Sequence, residues 1–208
     1  LYADGGYLRK VSKNGRIDLS LSLELKKEDA YIIEEFKNQL ESSLPVREIV
    51  REEIMTSNGK EYSFTKNNCY FRIGCKKLIS DLISWGCIEN KTKELSNVPD
   101  IEKEYLRYFL LGFYDGDGIA SVGERTYMGF CGTEEMMKNI SLLLNQELNL
   151  RIKKSYYNKS NHIYYLQYNM NEEIEKLFKY FYKDLEIPHL IRKEEKIRNY
   201  LNANTEIT

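Results

Sequence analysis

The predicted order of strands and helices occurs twice along the chain. Each half follows the pattern strand, strand, helix, strand, strand, helix, and Tyr2-Ala3-Asp4-Gly5-Gly6 corresponds to Asp115-Gly116-Asp117-Gly118-Ile119 about half a chain later. This duplication favours one structure of two similar units related by a pseudo-twofold axis. We therefore assign a first repeat to residues 1–98 and a second to residues 99–208. Because the chain begins at Leu1 rather than at Met, we expect it to begin inside a longer protein, and we expect the start of the helix that precedes Asp4 to be missing from it.

The spacing of apolar residues assigns elements within each repeat. Residues 16–25 alternate apolar and polar side chains, which is typical of a half-buried strand. Further strands are predicted at 46–55 and 62–74, around the turn signal Asn58-Gly59, and within 119–132 and 150–168. Helices are predicted at about 27–44, 76–85, 102–114, 133–148, 172–185 and 192–201. The predicted fold class is therefore α+β.

Composition excludes several classes of protein. With 42% hydrophobic residues the chain of 208 residues is too rich in core formers for a disordered protein, and no apolar run approaches the roughly 20 residues of a membrane helix. Lys and Arg total 31 against 32 for Asp and Glu, which argues against a uniformly basic nucleic-acid binder. The four cysteines form no Cys-x-x-Cys pair, so we predict buried free thiols and a reducing intracellular compartment: cytoplasm, nucleoid or organelle.

The segment 110–118 has the sequence features of a catalytic site. Gly112 and Gly116 are small residues four apart, a spacing that allows two helices to approach closely. Asp117 and its counterpart Asp4 would then lie side by side at helix C-termini, where like charge and the helix dipoles disfavour ionised carboxylates. A divalent cation relieves both penalties, and hard oxygen ligands suit Mg²⁺, for which Mn²⁺ is expected to substitute.

Leu110-Leu111-Gly112-Phe113-Tyr114-Asp115-Gly116-Asp117-Gly118 resembles the signature of the LAGLIDADG homing endonuclease family. The chain matches that signature at Leu110, Gly112, Asp115, Asp117 and Gly118, and Leu1-Tyr2-Ala3-Asp4-Gly5 is similar to the end of a first copy. The resemblance covers nearly the whole chain. It implies duplicated αββαββα repeats, with two antiparallel sheets forming a DNA-binding saddle and the motif helices at the centre.

The resemblance also implies an activity and its residues. It implies a monomeric, site-specific endonuclease that cuts both strands of a long pseudo-palindromic or asymmetric duplex site with Mg²⁺, in the service of intron or intein mobility. The implied catalytic residues are Asp4 and Asp117, with Lys91 and Lys193 as the basic residues near the metal centres and Arg192 and Lys154 as alternatives. The metal site is assigned to Asp4, Gly5, Asp117 and Gly118, where the glycines also allow a sharp turn from helix to strand. Tyr2 departs from the family pattern at the position equivalent to Asp115.

The near-neutral total conceals an uneven distribution of charge. The segments expected to build the strand surface, 6–21, 46–77, 119–132 and 150–168, contain 16 basic and 6 acidic residues, whereas the remainder contains 15 basic and 26 acidic residues. This distribution favours phosphate binding on the strand side. The candidate DNA-contacting residues are Arg9, Lys10, Lys13, Arg16, Lys60, Lys66, Arg72, Lys153, Lys154 and Lys159.

Four alternatives remain open from the sequence. Asp115-x-Asp117-Gly118 begins like a calcium-binding EF-hand loop, although Ala120 and Thr126 replace its glycine and closing acid. An Asp-x-Asp loop after an apolar run also resembles haloacid-dehalogenase-type phosphatases, which need a parallel sheet. The segment could be a simple turn after a core helix. Finally, the fold could belong to a DNA-binding regulator or an RNA-splicing maturase without cleavage activity.

Overall fold

The computed structural model describes residues 5–11, 17–57, 60–87, 95 and 97–205. The chain forms two compact units that divide after Ser80, earlier than the boundary at 98/99 predicted between the sequence repeats. The strands are β1 (Gly5–Val11), β2 (Ile17–Lys26), β3 (Arg47–Ser57), β4 (Lys60–Ile73), β5 (Gly118–Ser121), β6 (Tyr127–Gly132), β7 (Tyr156–Asn158) and β8 (Ile163–Tyr168). The helices are α1 (Ala30–Gln39), α2 (Lys76–Ser84), α3 (Lys103–Asp117), α4 (Glu134–Leu148), α5 (Asn171–Tyr182) and α6 (Ile191–Thr205).

The two units contain four-stranded sheets with the same strand order. The order is β1-β2-β4-β3 in the first sheet and β5-β6-β8-β7 in the second, and every pairing is antiparallel. The predicted α+β class with two antiparallel sheets is therefore confirmed, and the repeated strand order agrees with duplication. Antiparallel sheets also exclude the phosphatase alternative, which requires parallel strands.

Helix α1 covers one face of the first sheet. Leu23 of β2 and Cys69 and Phe71 of β4 are buried against Ile33 of α1, and Phe36 packs edge-on against Phe71 with the ring centroids 6.2 Å apart. Leu23 is paired with Phe71 across the strands, so both side chains lie on the same face. The opposite face of this sheet is therefore the one that helix α1 leaves open.

The second unit has an aromatic core built by α3, β6 and α5. Tyr114, Phe130 and Phe181 are fully buried, with ring centroids 5.4 to 6.3 Å apart. Helix α4 begins at its N-cap Thr133, whose hydroxyl accepts a hydrogen bond from the Met136 amide, and its acidic first turn favours the same end. These contacts hold α3, the helix that carries the motif, against its own sheet.

The strand pair predicted within residues 150–168 is shorter than expected. Strands β7 and β8 form the pair, whereas residues 149–155 have irregular backbone. Asn149 ends α4 in the left-handed conformation, and the amide of Lys153 donates to the Ser141 hydroxyl on that helix at 2.8 Å. These residues lie along α4, whose side chains Ser141 and Asn145 form hydrogen bonds with the backbone of Lys153 and Leu150.

Two further properties of the fold concern its cysteines and the apolar character of its helices. All four cysteines are free thiols as predicted, but only Cys69 and Cys87 are buried, whereas Cys75 and Cys131 are partly exposed. Burial raises the pKa of the Cys69 thiol, so it stays protonated at neutral pH. Within the described ranges, no helix has both the length and the apolar character needed to cross a membrane.

Candidate functional site

The motif segment forms the end of helix α3. Leu106, Leu110, Leu111, Phe113 and Tyr114 recur at helical spacing and are buried, which explains why this stretch forms a helix against the sheet. The helix continues to Asp117, three residues beyond the predicted end, and β5 begins at the next residue. Because the Asp-x-Asp segment lies in the last helical turn and leads directly into a strand, it forms neither an EF-hand loop nor a simple turn.

Lys193 caps the C-terminus of α3. Its ammonium nitrogen Nζ donates to the carbonyl oxygens of Tyr114, Asp115 and Gly118 at 2.7, 2.8 and 2.7 Å, and it lies 5.1 Å from the centroid of the Tyr114 ring. The residue is only 8% exposed. Carbonyl groups at a helix C-terminus carry partial negative charge and have no hydrogen-bond donor within the helix. A buried ammonium provides both a positive charge and the missing donors.

Gly118 is required for steric reasons at this junction. Its backbone is extended, with φ −94°, so a left-handed conformation does not explain the glycine. A Cβ atom at this position would lie 2.1 Å from the Tyr114 carbonyl oxygen and 2.6 Å from the Tyr114 ring. The missing side chain lets the chain leave α3 directly over Tyr114, which brings the Gly118 carbonyl within reach of Lys193.

Asp115 connects the motif helix to the segment before α6. Its carboxylate oxygen Oδ2 accepts a hydrogen bond from the Leu190 amide at 2.9 Å, while Oδ1 is buried and has no hydrogen-bond partner within the described residues. Burial raises the pKa of Asp115 to about 6, against the lowering effects of the Leu190 hydrogen bond and the nearby cation Lys193. Asp115 therefore ties the end of α3 to the backbone that precedes α6.

Asp117 is the last residue of α3 and is partly buried. Its backbone carbonyl oxygen accepts from the Sγ atom of Cys131 on β6 at 2.9 Å. Burial, together with the charge of Asp117, raises the pKa of Cys131 to about 11, so this neighbour is a neutral thiol. In the part of the chain that the structure describes, no cluster of three or more His, Cys, Asp or Glu could hold a metal ion.

Seven of the sequence-predicted residues of the first repeat lie before β2 or after α2, and only three of these seven lie within the described residues. Asp4, Lys13, Arg16 and Lys91 lie outside the described residues. Gly5 is the first residue of β1, where it pairs with Leu23 of β2. Arg9 and Lys10 are also in β1, paired with Leu19 and Asp18. The assignments of these residues to catalysis, metal binding or DNA binding therefore remain predictions.

Strand register separates the charges of β3 and β4. Glu48 pairs with Cys69 on the core face, whereas Arg47 pairs with Tyr70 on the other face, which we call the first open face. By strand alternation, all of the basic residues of these two strands belong to the first open face: Arg47, Arg51, Lys60, Lys66 and Arg72. Of the acidic residues of the two strands, Glu48, Glu52 and Glu61 belong to the core face, and only Glu53 belongs to the first open face together with the basic residues. The first open face is therefore cationic.

Two of these cations have acidic partners. Arg51 forms a two-pronged ion pair with Glu24 of β2, and this hydrogen bonding lowers the pKa of the Glu24 carboxyl. Lys66 pairs with Glu53 at 2.7 Å. The side chains of Arg47 and Arg72 have neither a hydrogen-bond nor an ion-pair partner within the described residues, and they line one pocket together with Tyr70. Arg47 and Arg51 are not among the residues predicted from the sequence to contact DNA, although their even spacing along one strand places both side chains on the same face.

The second sheet does not share this charge. Its strands β5 to β8 contain no Lys or Arg, and the five basic residues of the segments 119–132 and 150–168 lie in loops. Lys154 and Lys159 are exposed there. The predicted cationic strand surface is therefore limited to the first sheet among the described strands.

Lys153 has a structural role. Its Nζ atom pairs with the buried Glu173 carboxylate at 2.5 Å and lies 4.9 Å from the centroid of Tyr168, a residue on the core face. Because Glu173 is nearly inaccessible to solvent, its charge needs this partner. The structure thus uses Lys153 to tie the segment after α4 to α5.

The fold is similar to solved LAGLIDADG structures. LAGLIDADG meganuclease I-AabMI bound to uncleaved DNA is 16% identical, with 99% of this chain and 88% of that chain covered at a TM-score of 0.61. The I-LtrWI LAGLIDADG homing endonuclease bound to target DNA is 12% identical, with 99% and 88% covered at a TM-score of 0.61. I-SmaMI bound to uncleaved DNA target in the presence of calcium ions is 12% identical, with 98% and 90% covered at a TM-score of 0.58. No protein-family model and no curated protein sequence matches the chain.

Three features of the chain agree with one another. The chain has a repeated antiparallel strand order, a helix ending in Asp115-Gly116-Asp117, and structural similarity to meganucleases over nearly its whole length. At 11% to 16% identity, this similarity defines the three-dimensional fold. The chain therefore has the fold of the LAGLIDADG homing endonucleases, the family that its motif resembles.

Proposed function

We propose that this protein is a site-specific DNA endonuclease that cuts both strands of a long duplex site. The observation that carries this proposal is the position of Asp117, which ends a helix whose C-terminus is held by the buried ammonium of Lys193. This helix belongs to a fold whose solved examples include proteins bound to DNA, such as I-SmaMI bound to cleaved DNA. A carboxylate on a rigid element is well suited to hydrolytic chemistry, because the reacting groups must be held within narrow limits.

Metal binding is part of the proposal. Asp117 and Asp4 would hold Mg²⁺, or Mn²⁺ in its place, with the carbonyl groups of Gly118 and Gly5 nearby. When bound, the cation supplies Lewis-acid stabilisation of phosphate oxygens and an activated water. The donor set fits a hard cation, since it consists of carboxylate and carbonyl oxygens and the nearby Cys131 is a neutral thiol. Of these oxygen atoms, the Gly118 carbonyl oxygen accepts a hydrogen bond from the ammonium of Lys193 in this structure.

The chain's own residues have separable tasks in this mechanism. Lys193 holds the end of α3 and brings a positive charge to the same turn as Asp117, where it would also favour an anionic phosphate. Lys91 is proposed for the equivalent task in the first repeat. Asp115 anchors the segment before α6 through the Leu190 amide, so it positions Lys193.

DNA binding is proposed on the first open face. The side chains of Arg47 and Arg72 have no hydrogen-bond or ion-pair partner among the described residues, so they can contact phosphates or guanine edges without first breaking an ion pair. Lys60 adds a third exposed cation at the start of β4. We further propose a monomer on a long pseudo-palindromic or asymmetric site, an intracellular location, and a role in intron or intein mobility.

The proposal is tested by selecting cleaved sequences from a random duplex library in Mg²⁺ and in Mn²⁺. We expect one family of cut sites, and we expect Asp117→Asn to abolish cutting while it retains binding to the selected site in Ca²⁺. Asp184→Asn is the matched control, because Asp184 is exposed and asparagine tolerates its positive φ of 52°. Specific binding without cutting in either metal would instead identify a regulator or a maturase with this fold.

A further inference from the structure

The second sheet also has a face that its helices leave open. The residues that alternate with the buried Met128, Phe130, Leu166 and Tyr168 form this surface, which we call the second open face. Its members are Ile119, Ser121, Tyr127, Gly129, Cys131, Tyr156, Asn158, Ile163, Tyr165 and Gln167. None of them carries a charge at neutral pH. The two open faces therefore have different chemistry although their strand orders are the same.

The polar groups of the second open face are held in place by one another. The Nε2 atom of Gln167 donates to the Tyr156 hydroxyl at 2.8 Å, and the Tyr156 ring stacks on Tyr165 with centroids 5.5 Å apart and planes 17° apart. The Tyr165 hydroxyl in turn accepts from Asn161 at 2.6 Å. These contacts fix the orientation of the Gln167 amide before any ligand arrives.

Gly129 lies beside Gln167 on the neighbouring strand. A Cβ atom at Gly129 would lie 3.3 Å from the Gln167 Cγ atom and 2.8 Å from the Leu166 carbonyl oxygen. The absence of a side chain there lets the stem of Gln167 lie on the sheet. The glutamine is thus set by Tyr156 at its amide end and by Gly129 along its stem.

We propose that Gln167 reads an A·T base pair from the second open face. This inference rests on the DNA-binding function proposed above. A carboxamide offers one donor and one acceptor in the geometry of adenine N6 and N7, and one N–H of Gln167 remains for the base when the other donates to Tyr156. The tyrosine rings provide apolar surface for thymine methyl groups.

The two open faces therefore contribute differently to DNA binding. The first open face supplies cations, and their contacts with phosphates release counterions and make affinity depend on salt. The second open face has no charge to neutralise phosphates, so its contribution is base discrimination with little salt dependence. Specificity for one half of the DNA site is thus separated from the electrostatic part of affinity.

The test compares base preference and salt dependence in the intact chain. Duplexes bound in Ca²⁺ are selected from a random library and the dissociation constants are measured from 50 to 300 mM salt. We expect Gln167→Ala to lose the preference for A·T at one base pair by about 10- to 100-fold, with an unchanged salt slope. Tyr156→Phe should weaken the same preference, because it removes the hydroxyl that orients the amide.

Two control variants separate the possible explanations. Gln39→Ala changes an exposed glutamine on α1 and should leave both measurements unchanged. Arg47→Ala combined with Arg72→Ala should lower the salt slope by about one to two while the A·T preference persists. If Gln167→Ala binds with the wild-type base preference, or if its salt slope falls, the inference is wrong although the protein binds DNA. If the wild-type chain selects no DNA, the proposed function itself fails, and the inference fails with it.

Discussion

The ammonium of Lys193 donates to the carbonyl oxygen of Gly118 at 2.7 Å across 75 residues of sequence. Together with the bonds to Tyr114 and Asp115, this contact makes the first turn of α6 the cap of α3. The relationship explains how an apolar helix can end in acidic residues next to a dipole end that disfavours them. A fixed cation offsets the charge at the turn that contains Asp117.

Replacing Lys193 by Met tests this cap. The variant keeps the aliphatic stem but leaves three carbonyl oxygens without their donor, and each buried acceptor left unpaired costs about 1–3 kcal/mol. We expect the free energy of unfolding to fall by about 3 kcal/mol or more, as measured by urea denaturation. Lys196→Met, on the exposed side of the same helix, should change it by less than about 0.5 kcal/mol. Equal stabilities for the two variants would contradict the capping role.

Gly118→Ala tests the close approach at the helix end. The added Cβ atom would lie 2.1 Å from the Tyr114 carbonyl oxygen, so the backbone must shift and the Lys193 contacts must lengthen. We expect a loss of at least about 2 kcal/mol in unfolding free energy, comparable with other severe steric changes in cores. Gly74→Ala is the control, because its Cβ would meet only the Leu19 carbonyl oxygen at an ordinary 3.7 Å. A Gly118→Ala variant as stable as the control would show that the junction can relax.

Local structure was more predictable from the sequence than the site. The helices predicted at 102–114 and 133–148 match α3 and α4 within a few residues, because the spacing of apolar residues along a helix follows its own periodicity. The capping role of Lys193 could not be predicted, since its three acceptors lie 75 to 79 residues away. The face occupied by Arg47 depended on pairing with Tyr70, and the role of Lys153 depended on the burial of Glu173. Such contacts are set by register and packing, which one sequence does not specify.

Asp115 should give the protein a pH-dependent stability. Burial raises the pKa of Asp115 to about 6, so the folded state binds this proton more tightly than the unfolded chain does. The contribution of protonated Asp115 to the free energy of unfolding is therefore fully present below about pH 4, and it is lost as the pH rises through about 6. A pKa difference of roughly two units between the folded and unfolded states corresponds to a change of about 3 kcal/mol in that free energy. Urea denaturation at pH 4.5, 5.5 and 6.5 in a chelating buffer measures this change in the free energy of unfolding.

Asp115→Asn isolates this group from the other titrating residues. The amide does not ionise, so the variant should show a flatter dependence of unfolding free energy on pH between 4 and 6 than the wild type shows. Asp184→Asn, at an exposed position, should retain the wild-type dependence. Identical pH profiles for the wild type and Asp115→Asn would mean that Asp115 titrates near its ordinary pKa.

The ion pair between Glu24 and Arg51 should restrain DNA binding. Both residues lie on the first open face, where the Glu24 carboxylate neutralises one cation and also accepts from Asn68 at 2.8 Å. Glu24→Gln should free Arg51 for a phosphate, raise affinity for duplex DNA several-fold at low salt, and increase the salt slope by about one. The cost in stability should stay below about 1 kcal/mol, because the pair is partly exposed.

Glu48→Gln provides the matched control for this effect. It makes the same change in net charge, and it also breaks an ion pair, the 2.7 Å contact with Lys27. Glu48, however, pairs with Cys69 on the core face, so its removal should change the affinity and the salt slope much less than Glu24→Gln does. Fluorescence anisotropy titrations from 50 to 300 mM salt would measure both variants. Equal gains would show that net charge alone governs binding, whereas a gain limited to Glu24→Gln would assign DNA contact to the first open face.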